Sequence, residues 1–266
     1  MSAVSADPLE QIARLAPVDA AVQETRAIVD RLLGHRVLRR RSAEVSMESA
    51  LRGARASAVL DGADATLEQV RAGACDDPRV KGALRVSGEL GVLADTWPKA
   101  PRQVLARLHT LAAADGVDAS ALGRPRTLGE PAADPLGVGP APGPAEVAAR
   151  LDGLGALLAA PASVPALVVG AIVHGELAAL RPFGWGDGVV ARAAERLTLI
   201  RRGLDPKSLV PPEVGHEELR EGYGPALRGY TSGTADGVAA WVVHCCDAVA
   251  AGARDSLATC EALKRG

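Results

Sequence analysis

The residues with the clearest chemical potential lie in one segment, 174-HGELAALRPFGWGDGVVARAAERLTLI-200. An apolar helical pattern runs into Pro-Phe, then into a glycine-rich turn, and then into a second helical pattern that contains Arg192. Such a turn presents backbone N–H groups at a helix N-terminus, where anions bind. Arg181 and Arg192 could flank the amides of Gly186 and Gly188, and arginine suits bidentate phosphate recognition. The segment therefore predicts a phosphate site, although the turn alone would also fit an ordinary helical bundle.

The whole segment resembles the signature of Fic domains, HPFx[DE]GNGRxxR. The resemblance implies an enzyme fold that transfers AMP from ATP to a hydroxyl of a target protein. The positions that agree are Pro182, Phe183, Gly186, Gly188 and Arg192, and His174 stands where the family often has a histidine on the preceding helix. The positions that depart are Arg181 for the catalytic His, Trp185 for the acidic magnesium ligand, Asp187 for the Asn, and Val189 for the first Arg.

The departures remove the groups that AMP transfer needs. The family's His accepts a proton from the target hydroxyl, whereas arginine, with a pKa above about 12, cannot do so near neutral pH. Trp185 offers no hard oxygen ligand for magnesium. Asp187 would place a negative charge where the phosphate is expected. The sequence therefore predicts no catalytic residue, no metal site and no AMP transfer.

A second match lies far upstream, where 57-SAVLDG-62 resembles the inhibitory motif [ST]xxxE[GN] of many Fic proteins. Ser57 and Asp61 are four residues apart and so share one helix face. The resemblance implies that Asp61, followed by Gly62, pairs with Arg192. The pair could have an inhibitory role, or it could simply fix the N-terminal helix on the core.

Two weaker similarities extend the resemblance over about residues 45–252. Residues 123–126 are similar to the Gly-x-x-Arg that precedes the family's target-docking flap. The Gly- and Pro-rich stretch 123–144 would then be this flap, with a small β-hairpin and a protein partner as expectations, although a domain linker is the alternative. The segment 222-GYGPALRGYTSG-233 and Trp241 resemble the family's Tyr-x-x-Leu and its C-terminal Trp helix.

Helical periodicity dominates the rest of the chain, and no run of strands is apparent, so the predicted fold class is all-α. Hydrophobic residues make up 48% and aromatic residues only 2%, which predicts a core of Ala, Leu and Val. Helices are expected at about 8–34, 43–59, 65–73, 78–95, 101–114, 145–160, 163–180, 188–203, 216–230, 236–252 and 255–264. The expected organisation is an N-terminal helical extension at 1–42, a Fic-like domain at 43–252 with its inhibitory helix at about 43–62, and a C-terminal helix or tail at 253–266.

Charge and hydropathy exclude several partners. The net charge is −2 with both signs interspersed, whereas a nucleic-acid-binding domain would carry a basic excess on one face. The apolar stretch 164–173 is shorter than the roughly 20 residues of a membrane span, and residues 1–15 do not form the pattern of a secretory signal. We therefore expect a cytoplasmic protein that contacts neither nucleic acid nor membrane, and a homodimer remains open.

Two functions are open on this basis. The first is a Fic-fold pseudoenzyme with a regulatory or scaffolding role, which could still bind ATP, another nucleotide or phosphate at the loop. The alternative is a nucleotide-dependent transferase or phosphate-group enzyme with altered chemistry, in which Arg181 acts as an electrophilic clamp. Five histidines are dispersed along the sequence, and packing or bracing roles are expected for them: His35, His109, His174, His216 and His244.

Overall fold

The computed structural model describes residues 7–265, and within this range the chain forms twelve α-helices, one short 3₁₀ turn and no β-strand. The predicted all-α class is confirmed. The helices are α1 (Pro8–Ala13), α2 (Ala16–Leu33), α3 (Leu38–Leu60), α4 (Leu67–Arg71), α5 (Pro78–Leu93), α6 (Pro101–Ala113), α7 (Pro144–Leu158), α8 (Ala166–Leu180), α9 (Asp187–Arg201), α10 (Pro212–Glu218), α11 (Arg220–Thr231) and α12 (Ala235–Arg265).

The N-terminal helices differ from the prediction. The expected helix at 8–34 is two helices, α1 and α2, because Pro17 has no N–H and is accommodated only in the first turn of a new helix. Helix α3 begins at Leu38, earlier than expected, and Arg41 inside it has a non-helical backbone (φ −121°, ψ 24°). Residues 1–6 of the predicted extension lie outside the described residues.

The C-terminal part is one helix where two were expected. Gly252 does not end α12, because its missing side chain allows close packing, and a Cβ there would collide with the carbonyl of Pro211. The predicted tail is therefore a continuation of α12 as far as Arg265, and Gly266 lies outside the described residues.

The stretch 123–144 does not form the hairpin that the resemblance suggested, and its described residues contain no strand. Its prolines lack the N–H groups that a strand ladder needs. They are Pro125, Pro131, Pro135, Pro140 and Pro142, followed by Pro144 at the start of α7. The flap is therefore an irregular segment that must be fixed by individual hydrogen bonds.

Helix α8 is the centre of the fold. It is apolar on every side, as expected for a helix enclosed by others, and residues such as Val168, Val169 and Val173 are fully buried. Helix α9 packs antiparallel along it, and α11 and α12 cover its other sides. The indole of Trp241 on α12 donates to the carbonyl of Ala171 over 2.7 Å, which ties α12 to α8. None of the helices between residues 7 and 265 has the length and apolar character of a bilayer-spanning segment.

Candidate functional site

The turn between α8 and α9 is built on left-handed backbone. Arg181 ends α8 with φ 45° and ψ 61°, a conformation that costs a non-glycine residue roughly 1–2 kcal/mol. Gly184 (φ 82°) and Gly186 (φ 70°) follow, and glycine adopts these angles without a Cβ penalty. The chain therefore reverses within six residues, 181–186, and α9 starts directly at Asp187.

Asp187 folds its carboxylate back onto the turn. Its Oδ1 accepts the N–H of Phe183 over 2.9 Å, and its Oδ2 accepts the N–H of Gly184 over 2.7 Å. Burial raises the pKa of Asp187 to about 7, and the nearby charge of Asp61 also raises it. The two amide hydrogen bonds act in the opposite direction and lower this pKa. Two loop amides that could face an external anion are thus taken by a side chain of the same loop.

Arg181 points its guanidinium at the flap. Its Nη2 donates to the carbonyl of Gly139 over 2.5 Å, its Nη1 donates to Ala133 over 3.4 Å, and Nη1 also lies 3.4 Å from Oδ1 of Asp134. The residue is only 4% exposed. In this arrangement Arg181 fixes the flap and is not directed at the amides of the turn.

The flap is tied to the same turn from its other end. Arg126 donates to the carbonyl of Arg181 over 2.9 Å and to that of Leu180 over 3.3 Å, and its guanidinium also reaches the carbonyl of Pro142. The N–H of Arg126 donates to Pro182 over 2.8 Å. Because α8 ends at Leu180, these contacts satisfy carbonyl groups that the helix leaves free.

Phe183 joins the turn to α6. Its ring stacks on His109, with centroids 4.2 Å apart and planes inclined by 5°. His109 Nδ1 accepts the N–H of Gly123 at the base of the flap, over 2.9 Å. Burial lowers the pKa of His109 to about 4, so the ring is neutral at physiological pH. His109 therefore has the packing role that was expected of it.

The end of α3 meets α9 through the predicted ion pair. Arg192 Nη2 lies 2.5 Å from Asp61 Oδ1, and the guanidinium also donates to the hydroxyl and the carbonyl of Ser57, each over 2.9 Å. Arg192 is 1% exposed. A Cβ on Gly188 would collide with the Asp61 carboxylate, so glycine is needed there for close approach. The expected pairing of Asp61 with Arg192 is confirmed.

A cavity of about 240 Å³ lies between the turn, the flap and the end of α3. Its charged lining consists of Asp61, Asp134, Asp187, Arg79 and Arg181. Its apolar lining includes Trp185, whose indole lies so close to Gly116 that a side chain there would be excluded. The cavity therefore presents three carboxylates and two guanidinium groups. Of the two guanidinium groups, that of Arg181 already binds the flap.

The predicted site residues are brought together only in part. Among the residues lining the cavity are Asp61, Arg181, Gly186, Asp187 and Gly188. Arg192 lies behind Asp61, and Ser57 and Gly62 are not part of the lining. Gly62 has φ 97° where α3 ends, which accounts for glycine at that position. Asp134, Arg79 and the contact of Trp185 with Gly116 were not predicted, because no sequence motif places those segments at the loop.

The donors at this loop do not fit a magnesium ion. Trp185 supplies no oxygen, and both oxygens of Asp187 already accept amide hydrogens. Asp61 is paired with Arg192, and Asp134 accepts the N–H groups of Val138 and Gly139. Mg²⁺ needs near-octahedral oxygen ligands, which this set does not offer.

Sequence reasoning also missed a polar cluster in the core beneath the turn. His174, Glu195 and His216 come from three different helices and are each no more than 1% exposed, and Cys245 from α12 lies beside them. Their spacing along the chain carries no recognisable signal. Three of the five dispersed histidines, His174, His216 and His244, are therefore neighbours in the fold.

Comparisons with known proteins are informative at the level of the structure. Neither a protein-family model nor a curated protein matches the sequence. Among solved structures, the crystal structure of a Fic family protein from Desulfovibrio desulfuricans G20 superposes with a TM-score of 0.73. The chain has a Fic-type fold. The sequence identity is 22%, and the match covers 90% of this chain and 74% of that chain. In this Fic-type fold, residues 181–192 contain the turn after α8 and lie against Ser57 and Asp61, as the resemblance implied.

Proposed function

We propose that this Fic-fold protein does not transfer AMP and instead acts as a regulatory or scaffolding protein. The observation that supports the proposal is that the protein's own groups bond two amides of the turn and the guanidinium groups of Arg181 and Arg192. Asp187 accepts the amides of Phe183 and Gly184, and the flap carbonyls accept the Arg181 guanidinium. Asp61 holds Arg192.

A nucleotide would have to displace these contacts before it could bind. Three carboxylates line the cavity against the guanidinium groups of Arg79 and Arg181, and Arg181 is already bonded to the flap, so the lining offers little free positive charge to a polyphosphate. Release of Arg192 from Asp61 would provide a further cation for the phosphates. ATP or another phosphate ligand is therefore proposed to bind only when Asp61 has moved away from Arg192.

The flap is the surface proposed to contact a protein partner. Leu128, in the first part of the flap, is 90% exposed and is the most exposed large apolar residue within the described range. Arg126 and Arg181 anchor the segment on both sides of it. An anchored segment that carries an exposed apolar side chain loses little conformational entropy when a partner binds to it.

One observation favours the alternative of an enzyme with altered chemistry. With a pKa of about 7, Asp187 has the proton affinity of a general base at neutral pH, and it lines the cavity. Arg181 donates to the flap carbonyl of Gly139, so it would have to leave the flap before it could act as the clamp that this alternative expects. A labelling assay that compares the wild type with Asp187→Asn separates the two functions. An enzyme that uses Asp187 as its base should lose activity in the variant, whereas a pseudoenzyme has no activity to lose.

The test is a transfer assay with ATP labelled at the α-phosphate. The wild type is compared with a restored variant that carries Arg181→His, Trp185→Asp, Asp187→Asn and Val189→Arg together with Asp61→Gly. We expect no label on the wild type and label on the restored variant. The matched control keeps Arg181 and carries the other four changes, and the missing base should reduce its labelling by about 10²–10⁴-fold. Incorporation of label by the folded wild type would overturn the proposal.

A further inference from the structure

The core cluster beneath the turn has the composition of a metal site. His174 on α8, Glu195 on α9, His216 on α10 and Cys245 on α12 each contribute one potential ligand atom, and these atoms all lie within 4.8 Å of one another. The exposed fractions of the four residues are 0%, 1%, 0% and 1%. Four helices, three of them consecutive in the chain, therefore bring four donors together.

The two facing imidazoles converge on one carboxylate oxygen. Glu195 Oε2 lies 2.8 Å from His174 Nδ1 and 3.1 Å from His216 Nε2. His174 Nδ1 nevertheless has no hydrogen-bond partner among the described residues, because the carboxylate lies off the axis along which its N–H would donate. The carboxylate of Glu195 is thus the one polar group in contact with this buried nitrogen among the described residues, and a metal ion placed between the two atoms would bind both.

The outer nitrogens of both rings are already bonded. His174 Nε2 lies 2.6 Å from the hydroxyl of Tyr223, and His216 Nδ1 lies 3.2 Å from Nε2 of His244. Histidines that bind metals characteristically engage their second nitrogen in this way, which fixes the tautomer and the ring plane. Tyr223 also stacks on His216, with centroids 4.7 Å apart, so the ring is held in position.

The donor types suit Zn²⁺. Two imidazole nitrogens, one carboxylate and one thiolate match the ligands that zinc prefers in tetrahedral sites. The charges of the ion, the carboxylate and the thiolate sum to zero, which suits a site that is closed to water. Tetrahedral bonds of about 2.0–2.3 Å place ligand atoms roughly 3.3–3.8 Å apart. The close pairs would separate by about half an ångström, and the widest would approach.

We propose that His174, Glu195, His216 and Cys245 bind one zinc ion that joins α8, α9, α10 and α12. The site holds four protein ligands and no opening for substrate, so its role is to stabilise the core. It lies beneath the turn and is independent of the proposed function. The ion would be taken up during folding, because the enclosed cluster leaves no path from the solvent.

The test uses the full chain, produced with zinc in the medium and refolded in the presence of Co²⁺ in a second preparation. We expect one zinc per chain by elemental analysis. The cobalt form should show the intense visible bands of tetrahedral Co²⁺ and a thiolate charge-transfer band. Metal well below one per chain in both preparations, with circular dichroism showing folded protein, would overturn the proposal.

Two cysteines provide a matched pair of variants. Cys245 and Cys246 are adjacent on α12 and equally buried, but only Cys245 belongs to the cluster. Cys245→Ser should abolish the thiolate band, whereas Cys246→Ser should keep both the band and the stoichiometry. His244→Ala, which removes the outer partner of His216, should weaken zinc binding by about 10–100-fold. A thiolate band that persists in Cys245→Ser, or is lost in Cys246→Ser, would refute the ligand assignment.

Discussion

The contact between α3 and α9 allows a quantitative prediction. In Asp61→Ala, the Arg192 guanidinium keeps its bonds to Ser57 but loses its carboxylate partner at 2.5 Å. Removal of one member of a buried ion pair costs about 3–5 kcal/mol. The side chain of Asp61 is 10% exposed, so water can partly replace it, and we expect a loss of about 3 kcal/mol at the low end of that range.

The assay is urea unfolding followed by circular dichroism, supported by thermal melts. At about 2–4 °C per kcal/mol for chains of this size, the Tm of Asp61→Ala should fall by about 6–12 °C. The matched control is Asp30→Ala, which breaks an exposed pair with Arg26 whose side chains are 63% and 67% exposed. Its stability should change by no more than about 0.5 kcal/mol.

A double-mutant cycle isolates the pair itself. Arg192→Ala also loses the bonds to Ser57, so it should cost more than Asp61→Ala. The double variant should be more stable than the sum of the single losses predicts, with a coupling energy of about 2–3 kcal/mol. Single losses that add to within about 0.5 kcal/mol, or an Asp61→Ala variant as stable as Asp30→Ala, would refute the reasoning.

Three further perturbations test other parts of the site. Folding raises the pKa of Asp187 from 3.8 to about 7, so this group destabilises the fold as pH rises through that window. The free energy of unfolding of Asp187→Asn should therefore rise relative to the wild type by about 1.4 kcal/mol per pH unit between pH 4 and 7. A difference between the two proteins that does not change with pH in urea melts would contradict this. Gly188→Ala should lower stability by about 1–3 kcal/mol, because the added Cβ would collide with Asp61. The matched control Gly153→Ala, on the open face of α7, should raise stability by up to about 1 kcal/mol. Equal changes of Tm in the two variants would contradict this packing. Arg126→Ala removes the contacts with three carbonyls and should accelerate limited proteolysis within the flap, and an unchanged cleavage rate would show that the flap is held elsewhere.

The sequence was sufficient for the features that depend on local patterns. The all-α class followed from helical periodicity, and the turn at 181–186 followed from Pro-Phe and the glycines. The pair between Asp61 and Arg192 came from a family resemblance, since nothing local connects positions so far apart. Helix ends were less predictable: separate helices were expected at 236–252 and 255–264, whereas α12 continues through Gly252, which packs closely against Pro211.

The direction of side chains could not be read from the sequence. Asp187 can accept the two amides behind it only because Gly184 takes a positive φ and turns the chain back. Arg181 was expected to face the turn, but the flap supplies carbonyl acceptors that no pattern places there. The core cluster around Glu195 appears only after four helices have packed together.

Calorimetric titration of ATP with magnesium into the wild type tests most directly whether the protein's own side chains block phosphate binding at the turn between α8 and α9. The matched sample is the double variant Asp61→Gly, Asp187→Ala, which frees Arg192 and the amides of Phe183 and Gly184. We predict no heat of binding for the wild type at millimolar ATP and measurable binding by the double variant. Stoichiometric binding of ATP by the wild type at micromolar concentration would contradict the claim that the protein's own side chains block the turn.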